Sequence, residues 1–121
     1  MKLDHDVVRN LLLKLETEQK LNEPYILNSS NSTDSELYAA IKLEEAGLIE
    51  ADIHRYYDRK TVIFIRSITF DGHTFLDNIR PENSWEKTKS LLKNLGGASL
   101  GMAADIAAKV TAELLENQLH N

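Results

Sequence analysis

The chain has no cysteine, which excludes disulfides and thiolate zinc sites and is compatible with a reducing cytoplasm, the compartment expected here. No apolar run approaches the roughly 20 residues of a membrane span, so no membrane partner is expected. The opening Met1-Lys2-Leu3-Asp4-His5-Asp6 is acidic and places no apolar core ahead of a small-residue cleavage site, unlike a secretory leader. Basic charge is also short. Fourteen basic residues against 19 acidic ones leave a net charge of −5, the wrong sign for a domain that grips nucleic acid through a broad basic surface. At 121 residues the chain is long enough to bury roughly two thirds of its unfolded surface, so one domain overall is expected without help from a metal.

The most informative stretch is 31–69. Ser32-Thr33-Asp34-Ser35-Glu36 is rich in residues whose side-chain oxygens satisfy the first free N–H groups of a helix, and several cap positions fit. Leu37, Ala40, Leu43 and Ala46 then recur at helical spacing, and Gly47 stands where a left-handed C-terminal residue is wanted. After it the period changes. Residues 48–55 and 61–69 are rich in β-branched and aromatic side chains, separated by Tyr56-Tyr57-Asp58-Arg59-Lys60, which reads as a hairpin with a mostly basic tip. A helix feeding such a hairpin resembles the second half of a winged helix.

Taken in order, residues 3–20 form the first expected helix, with Leu3, Val7, Val8, Leu11, Leu12 and Leu15 on one stripe and Leu13 off it. Asn22-Glu23-Pro24 breaks it, because proline disfavours helical geometry in the preceding residue. Tyr25-Ile26-Leu27 is short enough for an edge strand added to the hairpin, and residues 28–32 are a polar loop. A full helix-turn-helix has a separate short helix in this interval, and 24–32 shows little periodicity for one.

Downstream of the hairpin, Thr69 or Asp71 caps a helix whose apolar face is Phe75, Leu76 and Ile79, and Pro81 stops it. Asn83-Ser84-Trp85-Glu86 resembles a capping box for a helix with Trp85, Thr88, Leu91, Leu92 and Leu95 on one face, ended by Gly96-Gly97. Ser99 caps the last helix, which carries Leu100, Ala103, Ala107, Val110 and Leu114 at alternating spacings of three and four. That stripe either packs back on its own chain or pairs with a second copy in a homodimer.

Catalytic and metal chemistry find little to stand on. His73 and Asp77 are four apart, a spacing that holds a metal when a third ligand is present. None is evident, and a His-to-Asp hydrogen bond at a helix start is the plainer reading. Asp4-His5-Asp6 clusters three ligand types, but adjacent helical residues point in different directions. His54 and His120 are isolated. No Ser-His-Asp pattern accompanies a nucleophile motif, and Gly96-Gly97 and Gly101 form no phosphate-binding loop. The expectation is a protein that is no enzyme and takes no cofactor.

Four segments carry a family resemblance: Ala46-Gly47-Leu48-Ile49-Glu50; the run 68–80 with Thr69-x-x-Gly72-His73-x-Phe75-Leu76-Asp77 as its most specific part; Trp85 with Lys87 to Lys89; and Leu95-Gly96-Gly97-Ala98-Ser99-Leu100. Together with the opening Met1 to Arg9 they resemble the bacterial and phage family called domain of unknown function 2513. The resemblance implies an α+β, mostly helical protein: a winged-helix-like core over 1–80 and a helical C-terminal extension over 81–121, often encoded in phages and prophages. It brings no assigned activity and no catalytic residues. Lys42 and Glu44 stand where that family tends to have apolar residues.

Two functions follow as expectations. In the first, a winged-helix DNA-binding or regulatory accessory protein contacts double-stranded DNA through Lys42, Arg55, Tyr56, Tyr57, Arg59 and Lys60. The helix that would enter a major groove is acidic, with Lys42 alone opposing Asp34, Glu36, Glu44 and Glu45, so the basic hairpin tip is the part suited to phosphates. In the second, the scaffold binds no DNA and meets a protein partner or its own copy through the acidic helix and the alanine-rich tail.

Overall fold

In a computed structural model that describes residues 1–96 and 99–120, the first helix is α1 (His5–Glu18), started by the Asp4 carboxylate, which accepts from the Asp6 and Val7 N–H groups. It buries Val8, Leu11, Leu12 and Leu15. The helix is spent before Pro24 is reached: Gln19 already has extended geometry. Strand β1 (Tyr25–Leu27) and a turn over 28–32 follow, with no helix between α1 and α2 (Asp34–Glu45). The Asn28 and Asn31 side chains organise that turn, Asn31 Oδ1 accepting from the Asn28 N–H at 2.8 Å and Asn31 Nδ2 donating to the Ile26 carbonyl at 2.9 Å. Local side-chain bonds thus hold this connection without a helix.

Thr33 settles the choice of cap for α2. Its hydroxyl accepts from the Glu36 N–H at 3.1 Å while the Glu36 carboxylate accepts from the Thr33 N–H at 3.2 Å, a complete capping box. The helix buries Leu37, Ala39, Ala40 and Leu43; Ala46, expected on that stripe, is exposed because the helix closes one residue earlier. Gly47 follows at φ 74°, in open space.

Strands β2 (Ile49–Arg55) and β3 (Thr61–Ile68) form the hairpin, and β1 adds to the other side of β3, giving an antiparallel sheet of order β1-β3-β2. Leu27, Ile49, Ile63 and Ile65 point to the buried face. A register shift between Glu50 and Ala51 marks an irregularity next to the turn from α2.

The chain divides into two compact units, Met1–His73 and Thr74–Asn121. The division falls inside α3 (Phe70–Ile79). In the second unit α4 (Glu82–Asn94) and α5 (Leu100–Leu119) pair, and Lys87 of α4 meets Glu113 of α5 at 2.9 Å. The Asn83 capping box is not what starts α4. The cap position is Pro81, without a side-chain bond, and Asn83 Oδ1 accepts only from the neighbouring Ser84 N–H. The buried stripe is Ser84, Trp85, Thr88 and Leu92, at spacings of one, three and four, while Leu91 and Leu95, expected on the same face, are exposed. Gly96 is left-handed at φ 75°; its expected companion Gly97, Ala98 of the family-like segment and Asn121 lie outside the described residues. Ser99 caps α5, accepting from the Met102 N–H at 3.2 Å.

Candidate nucleic-acid interface

The hairpin tip is built by a turn that sets its own geometry. The Tyr56 N–H donates to the Lys60 carbonyl at 3.0 Å and the Arg59 N–H to the Tyr56 carbonyl at 2.9 Å, leaving Tyr57, Asp58 and Arg59 as a three-residue loop. Such loops place their third residue in the left-handed region, where glycine is favoured. Arg59 takes it, at φ 66°. Asp58 Oδ1 accepts from the Lys60 N–H at 3.1 Å and fixes the turn.

Five of the six expected contact residues lie together on this tip. Arg55, Tyr56, Tyr57, Arg59 and Lys60 are all exposed, and Tyr57 has no cover at all. Lys60 lies 3.9 Å from the Asp58 carboxylate, while Arg55 and Arg59 have no ion pair among the described residues. The sixth is elsewhere and otherwise engaged. Lys42, on α2, pairs with Glu45 at 2.9 Å and lies 5.4 Å over the Tyr38 ring. Its ammonium is held above its ordinary value by the hydrogen bond and charge of Glu45. A cation already neutralised within its own helix has little left for a phosphate.

The residues expected to self-associate are placed differently. Leu100, Ala103, Ala107 and Val110 are buried in the single chain and Leu114 is half-buried. The stripe is therefore core in the monomer.

The metal-spaced pair finds a plainer state too. Asp77 takes Arg80 as its partner at 2.7 Å, and His73 is exposed. Among the described residues no cluster of three or more His, Cys, Asp or Glu could hold a metal, and no helix is long and apolar enough to cross a membrane.

One feature is absent from any sequence pattern. On the outward face of the sheet a groove of about 680 Å³ runs between the 21–24 segment and the hairpin, lined by Leu21, Pro24, Glu50, His54 and Phe64. The His54 and Phe64 rings meet edge to face at 5.4 Å on its floor, and Arg66 bridges to Asp52 at 3.2 Å beside them.

These features define a small α+β protein that presents a basic, aromatic hairpin tip. The chain belongs to the family described as "Hypothetical protein (DUF2513)", which matches residues 2–99. It is also similar to an uncharacterized protein of Haemophilus influenzae, with 31% identity over 98% of this chain and 99% of that protein. No solved structure matches it significantly.

Proposed function

We propose that this is a winged-helix-like, DNA-contacting accessory protein that uses its hairpin tip as a wing against the phosphate backbone of double-stranded DNA. The observation that carries the reading is Arg59. A cationic side chain occupies the left-handed position of the turn, where glycine would be less strained, and strain of that kind is retained where the side chain itself is needed. Arg55 and Lys60 stand beside it, with Tyr56 and Tyr57 offering aromatic faces. The order helix, strand, helix, strand, strand, with the first strand on the outer side of the last, supports the reading, although the short helix that a full winged helix carries before α2 is replaced here by a turn. The α2 surface is acidic and Lys42 is paired, so contact through the wing, without base reading by α2, fits the charge distribution.

The test is a fluorescence-anisotropy titration of mixed duplex DNA at several salt concentrations. Binding should fall steeply with salt, and changing Arg55, Arg59 and Lys60 together to alanine should abolish it, each lost phosphate contact reducing the log-log salt slope by about 0.9. Undiminished affinity after the triple change would remove the wing from the reading.

A second reading is favoured by the acidic α2 and the net charge of −5: a non-enzymatic interaction module that keeps the scaffold and binds protein. It predicts no DNA binding even at low salt.

A further inference from the structure

The outward face of the sheet is open and bipolar. Its centre is partly apolar: Ile26, 42% exposed, stands across from Phe64 on one side, and on the other Asp52, paired with Arg66, stands across from Phe64 and His54 across from Val62. At the base of the hairpin Glu23 and Glu50 flank the groove, and neither has an ion pair among the described residues. At the tip Arg59 is likewise unpaired, with Lys60 beside it only 3.9 Å from Asp58. Acid at one end and base at the other are separated by the seven residues of β2, a span of ~23 Å at about 3.3 Å per residue.

A face with opposite charges at its two ends is complementary to itself when turned through 180°. We propose that a second copy of this chain docks on this face in antiparallel orientation, each copy's Arg59 and Lys60 meeting the other's Glu23 and Glu50, with Phe64, Val62 and Ile26 packed near the two-fold axis. Such an arrangement is closed and isologous, with the same patch used by both copies. The footprint, about 23 Å by about 10 Å, is well short of the ~800 Å² per partner of a stable complex. The dimer is therefore weak, leans on its charges and weakens as salt screens them. It also competes with DNA for Arg59, so the free wing is the form that reaches a phosphate.

Sedimentation velocity on the full chain, up to a protein concentration of about 1 mM in low salt, tests the proposal. The weight-average mass should rise towards twice that of the chain and fall back as salt is added. Two charge-reversed chains separate this surface from any other: one with Glu23→Lys and Glu50→Lys, the other with Arg59→Glu and Lys60→Glu. Each alone should stay monomeric, because like charges then face each other at both ends. An equimolar mixture should recover the dimer, since both ends are again opposite, and that recovery also shows that both chains are folded. A wild-type chain that stays monomeric throughout, a reversed chain that still dimerises, or a mixture that does not recover overturns the proposal.

Discussion

Gly72, in the first turn of α3, lies directly against the Leu48 carbonyl, so closely that a Cβ on Gly72 would collide with that oxygen and would stand 2.7 Å from the Ile68 Cγ2. Thr69 holds the two segments in this position. Its N–H donates to the Leu48 carbonyl at 3.1 Å, its hydroxyl donates to the Gly47 carbonyl at 2.7 Å, and the same oxygen accepts from the Gly72 N–H at 3.0 Å. The obstacle is backbone and cannot swing aside. Gly72→Ala should therefore cost about 3 kcal/mol, at the upper end of overpacking changes. Gly47→Ala meets no atom and suffers only its left-handed φ, about 1 kcal/mol. Urea midpoints of the two variants should fall in that order; equal losses would mean that α3 can move away from Leu48.

The Gln19 side chain extends the sheet where β1 is too short to do so. Its amide donates to the Ile65 carbonyl at 2.9 Å and to the Arg66 carbonyl at 2.7 Å. Gln19→Ala should cost about 1–2 kcal/mol, the value of two such bonds partly replaced by water. Gln19→Glu should be worse at neutral pH, because a carboxylate has no proton to donate to a carbonyl, and should recover as the acid protonates. Stability that does not rise on acidifying the glutamate variant would show that the amide is not what holds those carbonyls.

Tyr25 and Lys14 give the fold an alkaline limit. The Tyr25 phenol is pushed above its ordinary value of 10.0, first by burial and then by the hydrogen bond to Glu18, whose Oε2 accepts at 2.8 Å. Lys14 is held above 10.5, chiefly by its interaction with Tyr25, and lies 5.9 Å over that ring. Both groups hold their protons more tightly folded than unfolded, so their stabilisation is fully present below the unfolded values and is lost as pH rises through the folded ones. Thermal unfolding followed from pH 9 upward should show this loss, and Tyr25→Phe should flatten the part that belongs to the phenol. An unaltered profile in that variant would assign the alkaline limit to other groups.

These contacts also show which parts of the fold are readable in sequence. The helix start near Thr33, the edge strand at Tyr25, the left-handed Gly47 and the Ser99 cap depend on neighbours within a few positions, and local chemistry is enough to read them. Which residue caps α2, whether Thr69 or Asp71 caps α3, and whether a short helix fills 24–32 are left open by the sequence. The start of α4 misleads because Asn83 is the better capping residue while the chain uses Pro81, and its face misleads because leucines at 91, 92 and 95 fit more than one stripe and only packing selects Leu92. Lys42 shows the same limit at the candidate site: its pairing with Glu45 lies three residues along the helix, yet a composition of one cation among four acids does not say which acid takes it. Gly72 against Leu48, Gln19 against Ile65 and the groove over Phe64 join residues about 24 to 46 positions apart, and only the folded chain brings them together.

Arg59 offers the sharpest separation of stability from binding. Glycine at this position relieves about 1–2 kcal/mol of left-handed strain but returns about 0.5–1 kcal/mol of backbone freedom to the unfolded chain. Arg59→Gly should therefore leave the fold as stable as before or more stable by up to about 1.5 kcal/mol. Arg59→Asn, whose side chain tolerates the same φ, should also preserve stability without that added freedom. If the wing contacts phosphate, both variants should nonetheless bind duplex DNA more weakly and with a shallower salt dependence, because each lacks the cation and keeps the turn. Weaker binding in a protein at least as stable can come only from the missing side chain. Unchanged binding in both variants would mean that the strain at residue 59 serves something other than DNA contact, and would move attention to the second copy that the same arginine is placed to meet.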